Sequence, residues 1–216
     1  MKRTPRSNGR IIAIDPSMHS LGLAICDLHG RITNTYHIGA VAAPAPALAN
    51  CDWRANAFGM AETVVNLLTS ILVPTRKPAE NHVVIETPIV FQVERGQSSM
   101  QAGDIQKLYF TCGLIIRALS EIPCIMSIHG VTPNDWKGQT PKNIVKRRCE
   151  STMISQGYLP NVPNISLDTI EAVMIGQFAS ANLVHVDNSY AFNLPVTPVY
   201  RIAHYYSQRY SVTDYG

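Results

Sequence analysis

The sequence predicts an α/β fold in which a mixed five-stranded β-sheet carries helices on both faces. Three segments near the amino end have the composition of strands and are joined by short turns. Two further apolar segments then alternate with amphipathic helical stretches. Strands that are at first antiparallel and then alternate with helices indicate a mixed sheet covered by helices on both sides. We predict this architecture for residues 10–182.

The first two strands predict a hairpin with an acid at its end. A β-branched run at 11–14 leads into Asp15, and residues 21–26 return as an apolar strand around Gly22. Residues 31–38 alternate polar and apolar side chains, which is typical of an edge strand. A carboxylate at the end of a buried strand is costly unless it is paired or bound to a metal. Asp15 is therefore a candidate functional residue, although an Asp there also suits a turn.

The remaining predicted elements alternate between helix and strand: helix 53–72, strand 82–86, helix 98–120, strand 124–128, helix 141–155 and a helix from 167. Strand 82–86 brings Glu86 to its end, just before Pro88. The last helix has Asp168 and Glu171 near its start, and their i, i+3 spacing puts them on one face. Ser166 or Asp168 could cap this helix, with Glu171 as a capping-box partner.

Four carboxylates therefore converge, because two strands and one helix each direct acids toward a common site. Like charges placed so close repel one another unless a cation lies between them. Carboxylate oxygens are the ligands that Mg²⁺ prefers. The pattern predicts a metal site formed by Asp15, Glu86, Asp168 and Glu171, and hence a metal-dependent nuclease.

These motifs together resemble a known family. Ile-Ile-Ala-Ile-Asp-Pro-Ser-Met-His-Ser-Leu-Gly-Leu-Ala-Ile at 11–25 resembles the opening strand pair of RuvC-type Holliday junction resolvases, which belong to the RNase H-like superfamily. Val-Val-Ile-Glu at 83–86 resembles their second acidic strand, and the segment 128–142 their last strand and lysine-bearing region. Leu-Asp-Thr-Ile-Glu-Ala-Val at 167–173 resembles their closing Asp-x-x-Asp helix. The chain departs from the family at Ser17, where the family has glycine, and at Glu171, where it often has Asp or His.

The resemblance implies an RNase H-like fold and an endonuclease that resolves four-way DNA junctions by symmetric hydrolysis, leaving 5′-phosphate and 3′-hydroxyl ends. It implies two Mg²⁺ ions per site, with Mn²⁺ as a substitute, held by the four carboxylates with Asp15 as the bridging ligand. Lys137 or Lys142 could place a positive charge near the scissile phosphate, and the resemblance favours Lys142 for this role. Because a four-way junction has two-fold symmetry, we expect a homodimer, with helix 98–120 as the candidate interface.

Local charge indicates where DNA would bind. The net charge is only +3, but five basic residues crowd the segment before the acidic helix, at Lys137, Lys142, Lys146, Arg147 and Arg148. Phosphates need such cations for affinity and register, although an ordinary charged helix face would look similar. Phe91 is the nearest candidate for the aromatic that the family wedges into the junction, and a loop-packing role suits it equally well. Residues 1–9 form a basic tail.

The rest of the sequence sets outer bounds. The 183–216 extension contains six of the nine tyrosines, and it suits base stacking or, as we favour, a short helix from Pro198 or a dimer contact. Five cysteines without Cys-x-x-Cys spacing indicate reduced thiols rather than a zinc site or disulfides. No apolar run has the length of a signal peptide or membrane span, so a cytoplasmic protein of a bacterium or phage-infected cell is expected.

Three alternatives remain at this level. A nuclease of the same fold could act on flaps, other branched DNA or RNA–DNA hybrids. A junction-binding protein could keep the fold with an inactive site. Actin-like and sugar-kinase ATPases also begin with an Asp-bearing strand and a glycine hairpin, but the chain lacks a convincing second glycine-rich phosphate loop.

Overall fold

A computed structural model describes residues 9–39, 52–73, 80–88, 102–158, 165–186, 189–192 and 198–201. The elements follow in the order β1 (Arg10–Pro16), β2 (Leu21–Asp27), β3 (Ile32–Ile38), α1 (Asp52–Leu72), β4 (Asn81–Glu86), α2 (Ala102–Leu119), β5 (Ile125–Val131), α3 (Pro133–Trp136), α4 (Lys142–Ser155), α5 (Leu167–Ala181), β6 (Leu183–Val186), β7 (Ser189–Phe192) and β8 (Pro198–Arg201). None of the helices among these residues is long and apolar enough to cross a membrane.

The five predicted strands form one mixed sheet, as expected. The strand order is β3-β2-β1-β4-β5-β8, in which β1 runs antiparallel to β2 and parallel to β4. A sixth strand, β8, adds antiparallel to β5 and comes from the 183–216 extension. The helix expected from Pro198 is therefore wrong for residues 198–201, because their backbone pairs with the edge of the sheet. Strands β6 and β7 form a separate hairpin.

Helices cover both faces of the sheet, and strand alternation decides which side chains meet them. Ile12 and Ile14 of β1 pack with Met60 and Leu68 of α1 and with α2, while Ile11 and Ala13 pack on the opposite face with α4 and α5. The side chains in both layers are almost fully buried. Each buried Ile or Leu contributes about 1.5–3 kcal/mol relative to an exposed one. Asp15 follows Ala13 by two residues, so it faces the α5 side.

A close approach between α5 and β2 sets the position of the acidic helix. A Cβ atom built on Gly22 would lie 2.0 Å from the backbone oxygen of Asp168. No side chain fits in that space, so Gly22 lets the first turn of α5 rest directly on the strand. Gly22 is also the residue that pairs with Asp15 across the hairpin. This contact therefore brings the start of α5 beside the end of β1.

One of the two residues expected to cap the last acidic helix does so. Ser166 is the N-cap of α5, and its side chain accepts a hydrogen bond from the Thr169 amide. Of the two expected caps, Ser166 is thus the one used. The expected start of α2 at 98 lies outside the described residues, as do Phe91 and the basic tail at 1–8. The single turn α3 was not predicted.

We expect Gly22→Ala to destabilise the fold, because the new methyl group would collide with backbone that cannot give way. Overpacking of this kind typically costs about 1–3 kcal/mol. Chemical unfolding should show a lower midpoint with an unchanged slope. Gly103→Ala is the matched control, since a Cβ there meets nothing within 4 Å. Equal stability of the two variants would contradict the role given to Gly22.

Candidate active site

The four predicted carboxylates lie at one end of the sheet, on the face covered by α5. Asp15 is the penultimate residue of β1, and Glu86 is the last residue of β4. Ile14 pairs with Ile85 in the parallel register, so Asp15 and Glu86 follow side by side. Asp168 and Glu171 lie in the first turns of α5. Asp15 is 5% exposed and Glu171 is 6% exposed, whereas Glu86 and Asp168 are half-buried.

The pKa values of Asp15 and Glu86 reflect burial and the charges of the neighbouring acids. Burial raises the pKa of Asp15 well above its usual range, and the neighbouring charges of Glu86, Glu171 and Asp168 raise it further. Burial also raises the pKa of Glu86, against the opposing effects of Lys137 and of a hydrogen bond from Trp136. Negative charge is therefore concentrated where water screens it poorly.

Among the described residues, Lys137 supplies the positive charge closest to this cluster. Its Nζ atom lies 3.0 Å from Oε1 of Glu171, and both side chains of the pair are largely buried. The same ammonium group lies 4.7 Å from the centre of the Trp136 ring, within cation–π range. The sequence predicted Lys137 as a DNA contact and, as an alternative to Lys142, as a positive charge near the scissile phosphate. The structure places it inside the carboxylate site, at the carboxyl end of α3.

Two further side chains hold individual carboxylates. The indole N–H of Trp136 donates a hydrogen bond of 2.6 Å to Oε2 of Glu86. The hydroxyl of Ser20, in the turn between β1 and β2, donates to Oδ2 of Asp168. Sequence reasoning missed both residues. The available signal was weak: a polar-tipped aromatic beside Lys137 and a serine in the turn after Asp15.

The other predicted basic residues lie on α4 rather than among the carboxylates. Lys142, Lys146, Arg147 and Arg148 are exposed, while Val145, Cys149 and Met153 bury the opposite side of the helix. Lys142 still acts on the site at a distance, because its charge opposes the raised pKa of Glu86. Lys146 lies 3.9 Å from Glu150 in an i, i+4 pair. The helix thus presents a basic outer face.

The donor chemistry fits a hard divalent cation. Four carboxylates against one ammonium group leave an excess of negative charge, and oxygen is the ligand type that Mg²⁺ and Mn²⁺ share. Within the described ranges, no group of three or more His, Cys, Asp and Glu residues has an arrangement that could hold a metal ion. One oxygen on each of Glu86, Asp168 and Glu171 is instead engaged by a protein donor. The second oxygen of each of these carboxylates lies outside these three hydrogen bonds.

Comparison with known proteins supports the predicted fold. No protein-family model matches the sequence, and no curated protein is similar to it. The structure is similar to T. thermophilus RuvC in complex with a Holliday junction substrate, with 15% identity and a TM-score of 0.55 over 80% of this chain and 92% of that one. A second similar structure is the yeast mitochondrial Holliday junction resolvase, with 9% identity and a TM-score of 0.48 over 82% of each chain. The chain thus shares its fold with RuvC, as the resemblance implied.

We expect Asp15→Asn to raise the stability of the metal-free protein at neutral pH. The folded-state pKa of Asp15 is raised, so the folded protein holds this proton more tightly than the unfolded chain does. Its contribution to stability is therefore present at low pH, and it is lost as pH rises from the unfolded value of about 3.9 through the folded pKa. Asparagine removes the charge and keeps the shape.

The measurement is urea unfolding in EDTA from pH 3 to pH 8. The stabilisation by asparagine should be largest at high pH and should vanish near the low end. Asp104→Asn is the control, because Asp104 forms a partly exposed pair with Lys107 at 3.1 Å, and such pairs contribute about 0–1 kcal/mol. A destabilised Asp15→Asn protein at pH 8 would contradict the electrostatic account.

Proposed function

We propose that this protein is a divalent-metal-dependent endonuclease that resolves four-way DNA junctions. The observation that supports this most directly is the meeting of Asp15, Glu86, Asp168 and Glu171 at one end of the sheet, on a fold similar to that of RuvC. The RuvC structure contains a Holliday junction substrate, which makes junction DNA the first substrate to test. The products would be 5′-phosphate and 3′-hydroxyl ends.

The four carboxylates would hold the catalytic metal, which we propose to be two Mg²⁺ ions per site, replaceable by Mn²⁺. When bound, such ions activate a water for attack and stabilise the charge on the leaving oxygen. Asp15 suits the bridging position, because the charges of the other three acids all act on it. Burial of Asp15 and Glu171 keeps bulk water from weakening the field of the site.

The lysines suit the scissile phosphate. Lys137 already places an ammonium group among the carboxylates, 3.0 Å from Glu171. Lys142 begins α4, and its charge reaches Glu86. A phosphate entering the site would meet positive charge from both. We propose that Lys142 assists the reaction, as the family resemblance implies, and that Lys137 contacts the bound DNA.

The outer face of α4 is the proposed DNA-binding surface. Its basic side chains Lys142, Lys146, Arg147 and Arg148 are all exposed, and α4 packs against α5, the helix that carries Asp168 and Glu171. Contacts of this kind set affinity and register without reading sequence. Phe91, proposed to insert into the junction, lies outside the described residues.

A homodimer would match the two-fold symmetry of the junction. Helix α2 exposes Tyr109 and Phe110, and Phe110 packs edge-to-face against Trp53 and Phe58 of α1. Phe58 is 45% exposed and Phe110 is 39% exposed, which is unusual for such large apolar rings. Aromatic residues are enriched at protein interfaces. We propose this face of α1 and α2 as the dimer contact.

The decisive experiment incubates the protein with an end-labelled mobile four-way junction, a flap, plain duplex and an RNA–DNA hybrid, in Mg²⁺ or EDTA. We expect paired symmetric nicks in the junction alone, abolished by EDTA. Asp15→Asn should reduce cleavage by more than about 100-fold, because loss of a metal ligand should cost more than loss of a ligand's hydrogen-bond partner. Junction binding should persist. Asp104→Asn should cleave as the wild type does.

Each other outcome points to a different function. Cleavage of flap or hybrid instead of junction would keep the active site and change the substrate. Junction binding without cleavage in any metal would indicate an architectural protein. Unpaired nicks would contradict the dimer. Retained cleavage by Asp15→Asn would remove the metal-site assignment.

The basic face of α4 makes a separate prediction about salt. Arg147→Gln and Arg148→Gln should each weaken junction binding and reduce the slope of log K against log salt by about 0.9, the value for one lost phosphate contact. Fluorescence anisotropy between 50 and 200 mM salt measures this slope. Arg117→Gln is the control, because Arg117 is exposed at the end of α2 and pairs with Glu121. If Arg147→Gln and Arg148→Gln leave the slope unchanged, as the control should, the DNA binds a different surface.

A further inference from the structure

The short helix α3 is built to present two residues to the acidic site. Thr132 and Asp135 form a capping box at its start, in which the Thr132 amide donates to Oδ2 of Asp135 at 2.7 Å. Pro133 fixes the first turn, and its carbonyl oxygen accepts from the Lys137 amide at 3.0 Å. The end of the helix, where Trp136 and Lys137 lie, is thus tied to its beginning. A helix of one turn has little stability of its own, so these local contacts define its position.

Trp136 and Lys137 together span the two sides of the carboxylate cluster. Trp136 donates a hydrogen bond of 2.6 Å from Nε1 to Glu86, the last residue of β4. Lys137 pairs with Glu171, which comes from α5. The Lys137 ammonium also lies over the Trp136 ring, so the two side chains support each other. Consecutive residues of one turn therefore hold carboxylates from two different elements.

The indole N–H has properties that suit a permanent partner of a metal-binding carboxylate. It is a neutral donor that does not titrate, and it has no acceptor that could compete for the cation. A hydrogen bond from it to an ionised carboxylate is charge-assisted and short. It fixes one oxygen of Glu86 and leaves the other oxygen outside this bond. Unlike the Lys137 ammonium, it adds no positive charge that would repel an incoming cation.

We infer that Trp136 is a positioning residue that orients Glu86 for cation binding in the proposed active site. The inference rests on the proposed function, and it adds a residue outside the four carboxylates and the lysines. An aromatic that only packs beneath α5 could be replaced by phenylalanine at little cost. A positioning donor could not, because phenylalanine keeps a ring below Lys137 but lacks the N–H.

The test measures Mn²⁺ binding to the full-length protein without DNA, from the loss of the electron paramagnetic resonance signal of the free ion. Trp136→Phe should bind Mn²⁺ about 10–100-fold more weakly than the wild type, the usual loss when a metal ligand's hydrogen-bond partner is removed. Trp53→Phe is the matched control, since it removes the only other tryptophan in the sequence, on α1.

A second readout leaves Trp136 intact and so does not depend on a variant at this position folding. In Trp53→Phe protein, Trp136 is the only tryptophan, and Mn²⁺ bound beside Glu86 should quench its fluorescence with the affinity seen by resonance. In Trp136→Phe protein, Trp53 should show no such saturable quenching. Thermal unfolding in EDTA verifies that the compared proteins are folded.

The outcomes separate the inference from the function on which it rests. Wild-type affinity in Trp136→Phe, or absence of Trp136 quenching by bound Mn²⁺, would overturn the role of Trp136 alone. A wild-type protein that neither binds Mn²⁺ nor cleaves any branched DNA would overturn the proposed metal centre itself. Weaker Mn²⁺ binding by Trp136→Phe, together with saturable quenching of Trp136 in the Trp53→Phe protein, would support the inference.

Discussion

Repulsion among four carboxylates is the force that the structure around the site must offset. Asp15 and Glu171 are almost fully buried, so water screens little of this repulsion. Each of the three acids other than Asp15 accepts a hydrogen bond from one protein donor. Lys137 donates to Glu171, Trp136 to Glu86 and Ser20 to Asp168. These donors come from α3 and from the β1–β2 turn. The site is thus a charge balance shared by segments that are far apart in sequence.

Sheet geometry explains how these segments meet. Alternation along β1 turns Asp15 away from the isoleucine layer below α1 and toward α5. The parallel register of β1 and β4 then sets Glu86 beside it. Gly22 removes the side chain that would keep α5 at a distance, so the helix delivers Asp168 and Glu171 over the same strand ends. The cost of burying charge is offset by two large apolar layers, one on each face.

The sequence could predict those features that depend on local pattern. The predicted ends of two strands indicated Asp15 and Glu86 as site residues. The i, i+3 spacing of Asp168 and Glu171 indicated that they share one face of a helix. The strand at 198–201 depends on tertiary geometry, because it forms only by pairing with β5, and local propensity does not encode that pairing. The hydrogen bonds from Trp136 and Ser20 could not be predicted from local pattern either, because they join residues 50 and 148 positions apart.

The same balance connects the resting protein to its proposed reaction. Lys137 neutralises part of the cluster in the absence of metal, and a buried ion pair of this kind is costly to break without replacement. The four carboxylates would hold a divalent cation in place of this ion pair, and Lys137 would then be available to another anion. Its position over the Trp136 ring would keep it close to the site, where a DNA phosphate could become its new partner. Metal binding and phosphate binding would therefore favour each other through Lys137.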